Sequence, residues 1–337
     1  MNKQVMPWKY NLSIIENIKP ALRYDGSEGF ATWQSRARAK LAELLGMDKL
    51  KKPEVPAFEI EYEKEQEGFT EYRIRVESEV GYSFPCVMLV PRNRAPKMPM
   101  VFCLQGHSTG MHVSLGRARH SEDAMDIEGD RDFAIRALRE GCVAVAIEQR
   151  NFGECGAKEN GAPDCHVSSM SAILCGRTTI GERVCDVSAA IDVVTSHFDF
   201  VDEERIILLG NSGGGTATFY AAAMDERISV AVPSCAVCTY KHSIAAMEHC
   251  VCNFVPHIAE YFDMGDIGGL IAPRALVVVN GRLDPIFPDA GVRETYAVIE
   301  ELYRAADAPD RCRLVTGEGD HRFYADPVWP QVHDLLG

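Results

Sequence analysis

The sequence predicts an α/β protein with a mostly parallel central sheet flanked by helices on both faces. Three observations carry that reading. Short apolar runs recur along the chain and are continuous rather than alternating, as in strands covered on both sides. Helix-length segments separate those runs. Two strand-like stretches come before the alternation begins, which argues for a mixed sheet whose first strands are antiparallel.

Taken in order, residues 1–55 read as an N-terminal helical extension. Within it, 33–45 carries apolar residues near helical spacing, and Gly46 is the stop. A linker at 51–56 leads into the main unit, 56–337. There 71–76 alternates, and 84–90 is an apolar run closed by Pro91. The runs expected as buried strands are 100–104, 142–147, 205–209, 228–232, 275–279 and 313–315. Helices are expected at 130–140, 181–198, 213–224, 289–305 and 328–336. Two connections, 151–180 and 235–270, are too long for simple crossovers and read as insertions over the carboxyl edge of the sheet, where ligands bind.

The 35 lysines and arginines against 49 aspartates and glutamates leave a net charge of −14. That excess repels phosphate backbones and anionic lipid, so neither nucleic acid nor membrane is an expected partner. No run reaches the ~20 apolar residues of a bilayer span, and residues 1–8 carry no export signal. The 12 cysteines, several inside apolar runs such as Cys103 and Cys142, then read as reduced thiols of a cytoplasmic protein. Homo-oligomerisation is left open.

Gly210-Asn211-Ser212-Gly213-Gly214 fits G-x-S-x-G between a strand-like run and a helix-like one. In that setting a sharp turn lifts the serine above the sheet, and only small flanking residues leave room for it. The plainer alternatives are a glycine-rich cap or a phosphate loop. The segment lacks the Lys-Ser/Thr ending of a Walker loop and does not fit G-x-G-x-x-G. A serine nucleophile needs a base and an orienting acid. Asp284 follows the 275–279 run and His321 follows the next, giving the order Ser212, Asp284, His321. Asp289 and Asp320 are rival acids. His107 and His112 precede the serine, His166, His242, His249 and His257 fall in the insertions, His333 lies in the terminal helix, and His197 ends the helix before the 205–209 run. The loop Gln105-Gly106-His107 supplies the second oxyanion donor, the His107 amide, beside that of Gly213.

Five segments together resemble the α/β-hydrolase superfamily, within it the acetyl xylan esterase and dienelactone hydrolase-like branch. They are Gln105-Gly106-His107, 148–154, Gly210–Gly214, 280–285 and Gly319-Asp320-His321, across about residues 80–337. The resemblance implies Ser212 as nucleophile, His321 as base, Asp284 as acid, and hydrolysis of a small-molecule carboxylic ester without cofactor. Gln105 and Glu148-Gln149-Arg150 depart from the commoner pattern, which bears on the substrate. A small acyl group, acetyl-like and carried on carbohydrate, is the substrate expected from the resemblance. Gln105, Phe254 and Tyr261 are expected substrate contacts. A prolyl-oligopeptidase-like peptidase is the alternative enzyme, although 55 residues are too few for a propeller. A non-catalytic binding protein of the same fold is the alternative outside enzymes.

Cys235, Cys238, Cys250 and Cys252 with His242 and His249 invite a zinc site. Their C-x-x-C then C-x-C spacing is irregular for structural zinc, so packing is the preferred reading and no metal is expected. The acidic stretch 121–130 reads as a solvated loop and helix start, with a calcium loop as the sharper alternative.

Overall fold

The computed structural model describes residues 6–337. Residues 1–5, the start of the expected extension and of the 1–8 segment read as lacking an export signal, lie outside the described residues. Nine strands form one sheet: β1 (Phe58–Glu65), β2 (Phe69–Glu79), β3 (Tyr82–Pro91), β4 (Met98–Leu104), β5 (Val143–Ile147), β6 (Val201–Asn211), β7 (Val230–Ser234), β8 (Ala275–Gly281) and β9 (Cys312–Gly317). Their order is β1-β2-β3-β5-β4-β6-β7-β8-β9. The ladders β1/β2, β2/β3 and β3/β5 are antiparallel, and those from β5 through β9 are parallel.

Every residue of β5, β7 and β8 is buried, which explains their continuous apolar sequences. Alternate residues serve two separate cores. On β4, Met100, Phe102 and Leu104 join one cluster, while Val101 and Cys103 join the other. The helices Thr179–His197, Gly213–Met224 and Asp289–Ala305 cover the first face. Phe133–Arg139 and Ala325–Leu336 cover the second, with Phe133, Trp329 and Val332 buried there. The N-terminal helix Phe30–Leu45 buries Trp33, Ala37, Leu41 and Leu45 at a four-residue spacing and closes on Gly46 in left-handed geometry (φ 72°). Its apolar stripe belongs to the first core. No helix among the described residues is long and apolar enough to cross a membrane.

Beneath the carboxyl edge lies a buried ionic knot. Arg150 Nε donates to Asp186 Oδ2 (2.8 Å), and its Nη2 donates to Asp186 Oδ1 and Glu79 Oε1 (both 2.8 Å). Arg177 adds contacts to Glu79 (2.6 Å) and Glu182 (2.8 Å). The Arg150 guanidinium also lies 3.8 Å over the Tyr82 ring. The knot ties β2, β3 and the helix Thr179–His197 to the segment after β5.

Candidate active site

β6 ends on the turn that carries Ser212, whose φ of 54° and ψ of −123° lie where residues with a Cβ are strained. The turn is held from both sides. The Ser212 N–H donates to Ser234 O on β7 (2.8 Å), and the Thr216 N–H donates to Ser212 O (2.8 Å). Small residues make this approach feasible: a Cβ at Gly214 would overlap the carbonyl oxygens of Leu104 and Gln105. The Gly213–Met224 helix begins immediately behind, so its free N–H groups and positive dipole end face the turn.

β8 delivers Asp284 and β9 delivers His321 to the same edge. His321 Nδ1 lies 2.8 Å from Asp284 Oδ2. Asp284 Oδ1 accepts the Ile286 N–H (2.8 Å) and the Phe287 N–H (3.1 Å). Burial pushes this carboxyl up, but His321 and the two amides outweigh it and hold it below its ordinary value. Phe287 stacks on the imidazole at 5.9 Å with planes 15° apart, which fixes the ring. Of the rival acids, Asp289 is engaged elsewhere: its carboxylate accepts from Asn280 (3.0 Å) and Arg293 (2.7 Å).

The loop after β4 lies against the turn: the His107 ring is close enough that a Cβ at Gly213 would meet it at 2.8 Å. Among the described residues, neither the His107 N–H nor the Gly213 N–H has a hydrogen-bond partner. Phe152, from the first insertion, meets the His107 ring edge-on at 5.0 Å.

The expected substrate contacts fare differently. Gln105 is buried, and its Nε2 donates to Ser114 Oγ and to Arg131 O (3.0 Å). Its amide nitrogen thus braces the loop after β4. Tyr261 carries Lys40 Nζ over its ring at 4.7 Å, so its face is taken by the N-terminal extension. Phe254 is exposed and lines a groove of about 600 Å³ with Trp8, Ile15, Ile244 and Met247. His249 lies in an insertion, where nothing in the sequence ties it to the site. In the structure it meets Phe287 edge-on at 5.4 Å and bonds Ser243 Oγ (3.1 Å). Burial, then the nearby His107 and His321, lower its pKa. Only the folded chain brings these three imidazoles together.

Two further acidic groups are buried, and the first departs from expectation. Asp123, read as part of a solvated loop, is fully buried. It accepts from His112 Nε2 (2.9 Å) and the N–H groups of Arg119 (2.7 Å) and His120 (2.8 Å). Burial opposes its ionisation, but these bonds and the Thr109 hydroxyl hold it at about 2. Its oxygens are thus already committed to protein donors. Glu148, at the end of β5, is pushed up to about 8 by burial, against amide bonds from Glu154 and Met111. From its ordinary 4.5 up to about 8, the unfolded chain has released this proton while the folded chain keeps it. Stability therefore falls as pH rises through that window, by at most about 1.4 kcal/mol per pH unit. Glu148→Gln should flatten that slope in denaturant melts run across the range.

The sequence profile of the Abhydrolase family matches residues 11–318. The chain belongs to the α/β-hydrolase family. This α/β-hydrolase is 27% identical over 240 residues to "Putative hydrolase YtaP" of Bacillus subtilis (strain 168), covering 70% of this chain and 77% of that protein. A solved structure described as a "putative acetyl xylan esterase" from Bacteroides fragilis NCTC 9343 superposes with a TM-score of 0.81 at 16% identity, over 99% of this chain and 96% of that one. A glucuronoyl esterase from Solibacter usitatus superposes at 0.69 and 14% identity, over 95% and 98%. At such identities the two structures show a shared fold.

Proposed function

We propose that this α/β-hydrolase is a serine carboxylic-ester hydrolase working through Ser212, His321 and Asp284. The observation that carries the reading is the 2.8 Å Asp284–His321 contact at the edge where β6 ends in a strained serine. His321 takes the Ser212 proton as Oγ bonds to the ester carbonyl carbon, and Asp284 steadies the imidazolium that forms. The tetrahedral oxyanion sits at the otherwise unpartnered amides of His107 and Gly213. Collapse expels the alcohol, protonated by His321, and leaves an acyl-enzyme. Water deprotonated by His321 then releases the acid and frees Ser212.

Small acyl esters, acetyl-like and borne on carbohydrate, are the proposed substrates. Phe152, Phe287 and His249 crowd the two neighbouring histidines and favour a short acyl group. The descriptions of the structural neighbours, an acetyl xylan esterase and a glucuronoyl esterase, favour carbohydrate esters. A fluorophosphonate should form one adduct, located on Ser212 by peptide mass. p-Nitrophenyl acetate should be cleaved faster than longer-chain homologues. An unlabelled chain inert towards every ester would remove the proposal and leave a binding protein of this fold.

A further inference from the structure

Four residues from three segments distant in sequence converge beside the Ser212 turn. They are His107 after β4, Cys165 in the first insertion, and Cys250 and Cys252 in the second. One ligand atom from each lies within 4.8 Å of all the others. His107 Nε2 is 3.2 Å from Cys252 Sγ. Tetrahedral zinc, ~2.3 Å from sulfur and ~2.0 Å from nitrogen, sets its ligand atoms roughly 3.5–3.8 Å apart, so the cluster has the right size and needs only small shifts, the His107–Cys252 pair opening slightly.

A second observation concerns charge. Arg183 is buried (2% exposed), and among the described residues no carboxylate pairs with it. Its Nη1 instead points to Cys252 Sγ (3.6 Å) and its Nη2 to Cys165 Sγ (4.0 Å). The guanidinium is seated over the Phe152 ring at 4.4 Å, and its Nη2 is bonded to Arg150 O (2.9 Å). A cation kept dry beside sulfurs requires a compensating anion. One divalent ion bound by three thiolates and a neutral imidazole carries a net charge of −1, which Arg183 balances. Its N–H groups would then serve as outer-shell donors to the thiolates.

We propose that His107, Cys165, Cys250 and Cys252 bind one zinc ion. Four protein ligands leave no open position, so the site is structural. It clips the loop bearing His107 to both insertions. The sequence reading grouped Cys250 and Cys252 with Cys235 and Cys238, but these pack apart: Cys235 Sγ donates to Arg322 O (3.3 Å), and Cys238 abuts Gly291. The further consequence, that the ion fixes the His107 amide for an oxyanion, rests on the proposed function. The site itself does not.

The test is therefore read on metal. The full chain, untagged and purified under reducing conditions, should hold one zinc per chain by elemental mass spectrometry after dialysis. Cobalt exchanged into it should show thiolate-to-cobalt charge transfer and tetrahedral ligand-field bands, both lost in Cys252→Ala. Stripping with a strong chelator should lower the melting temperature, and zinc should restore it. A protein that takes up neither zinc nor cobalt overturns the proposal, whether its sulfurs titrate as free thiols or emerge as a disulfide in peptide mass spectra. Cobalt bands that persist in Cys252→Ala overturn it equally. Because no arm measures ester cleavage, a failed esterase reading would leave these results standing.

Discussion

Ser212→Ala should lower kcat for an activated ester by roughly 10⁴–10⁶-fold, the range seen when the nucleophile of such a triad is removed. The change deletes one oxygen and keeps the Cβ, so the strained turn and its bonds through the Ser212 N–H and carbonyl are unaffected. The denaturation midpoint should consequently stay close to that of the parent, within about 1 kcal/mol. Burst acylation and phosphonate labelling should vanish together. Activity within tenfold of the parent, in a variant shown to be folded, would move the nucleophile elsewhere. KM should rise towards the substrate dissociation constant, because a parent that shows burst acylation holds its KM below that value.

Arg150→Ala should have the largest effect on stability, about 3–5 kcal/mol, because it strands Asp186, Glu79 and Glu182 in a dry interior without their main counter-charge. Burial opposes the positive charge of Arg150, but the facing carboxylates more than offset it and raise its pKa. Arg177 reaches Glu79 and Glu182 but makes no contact with Asp186, so it compensates only part of the loss. Chemical denaturation of the variant measures this directly. A change below about 1 kcal/mol would mean that water enters and solvates the carboxylates. Since the knot anchors the segment leading to Phe152, activity should fall at temperatures well below the melting transition.

Most of the sheet was legible because strands buried on both faces leave uninterrupted apolar runs. The expected 205–209 lies inside β6 and 275–279 inside β8. β1 was not anticipated, although Phe58, Ile60 and Tyr62 alternate. Its outward residues are charged, and a bulge between Ile60 and Tyr62 breaks the pairing register. The helix expected at 181–198 runs Thr179–His197, shifted because the Thr178 side chain accepts the Gly181 N–H (3.0 Å) and starts it earlier. At the site, chain order was enough to nominate Ser212, Asp284 and His321. The direction of a side chain was not legible: nothing local to Gln105 says that its amide turns inward to Ser114 and Arg131. Nor does any spacing announce that residues 107, 165, 250 and 252 meet, since three separate loops must fold over the sheet first.

The charged margin at β1 has a consequence for self-association. An outermost strand offers unpaired backbone groups that a second copy could zip onto. Here four of its eight residues are glutamates, and Glu61 is already held by Arg73 and Arg75 at 2.5 and 2.6 Å. A copy adding along that margin would have to dehydrate like charges and compete with those arginines. Growth of the sheet into dimers or fibres through this strand is thereby penalised, and any quaternary contact is driven to other surfaces.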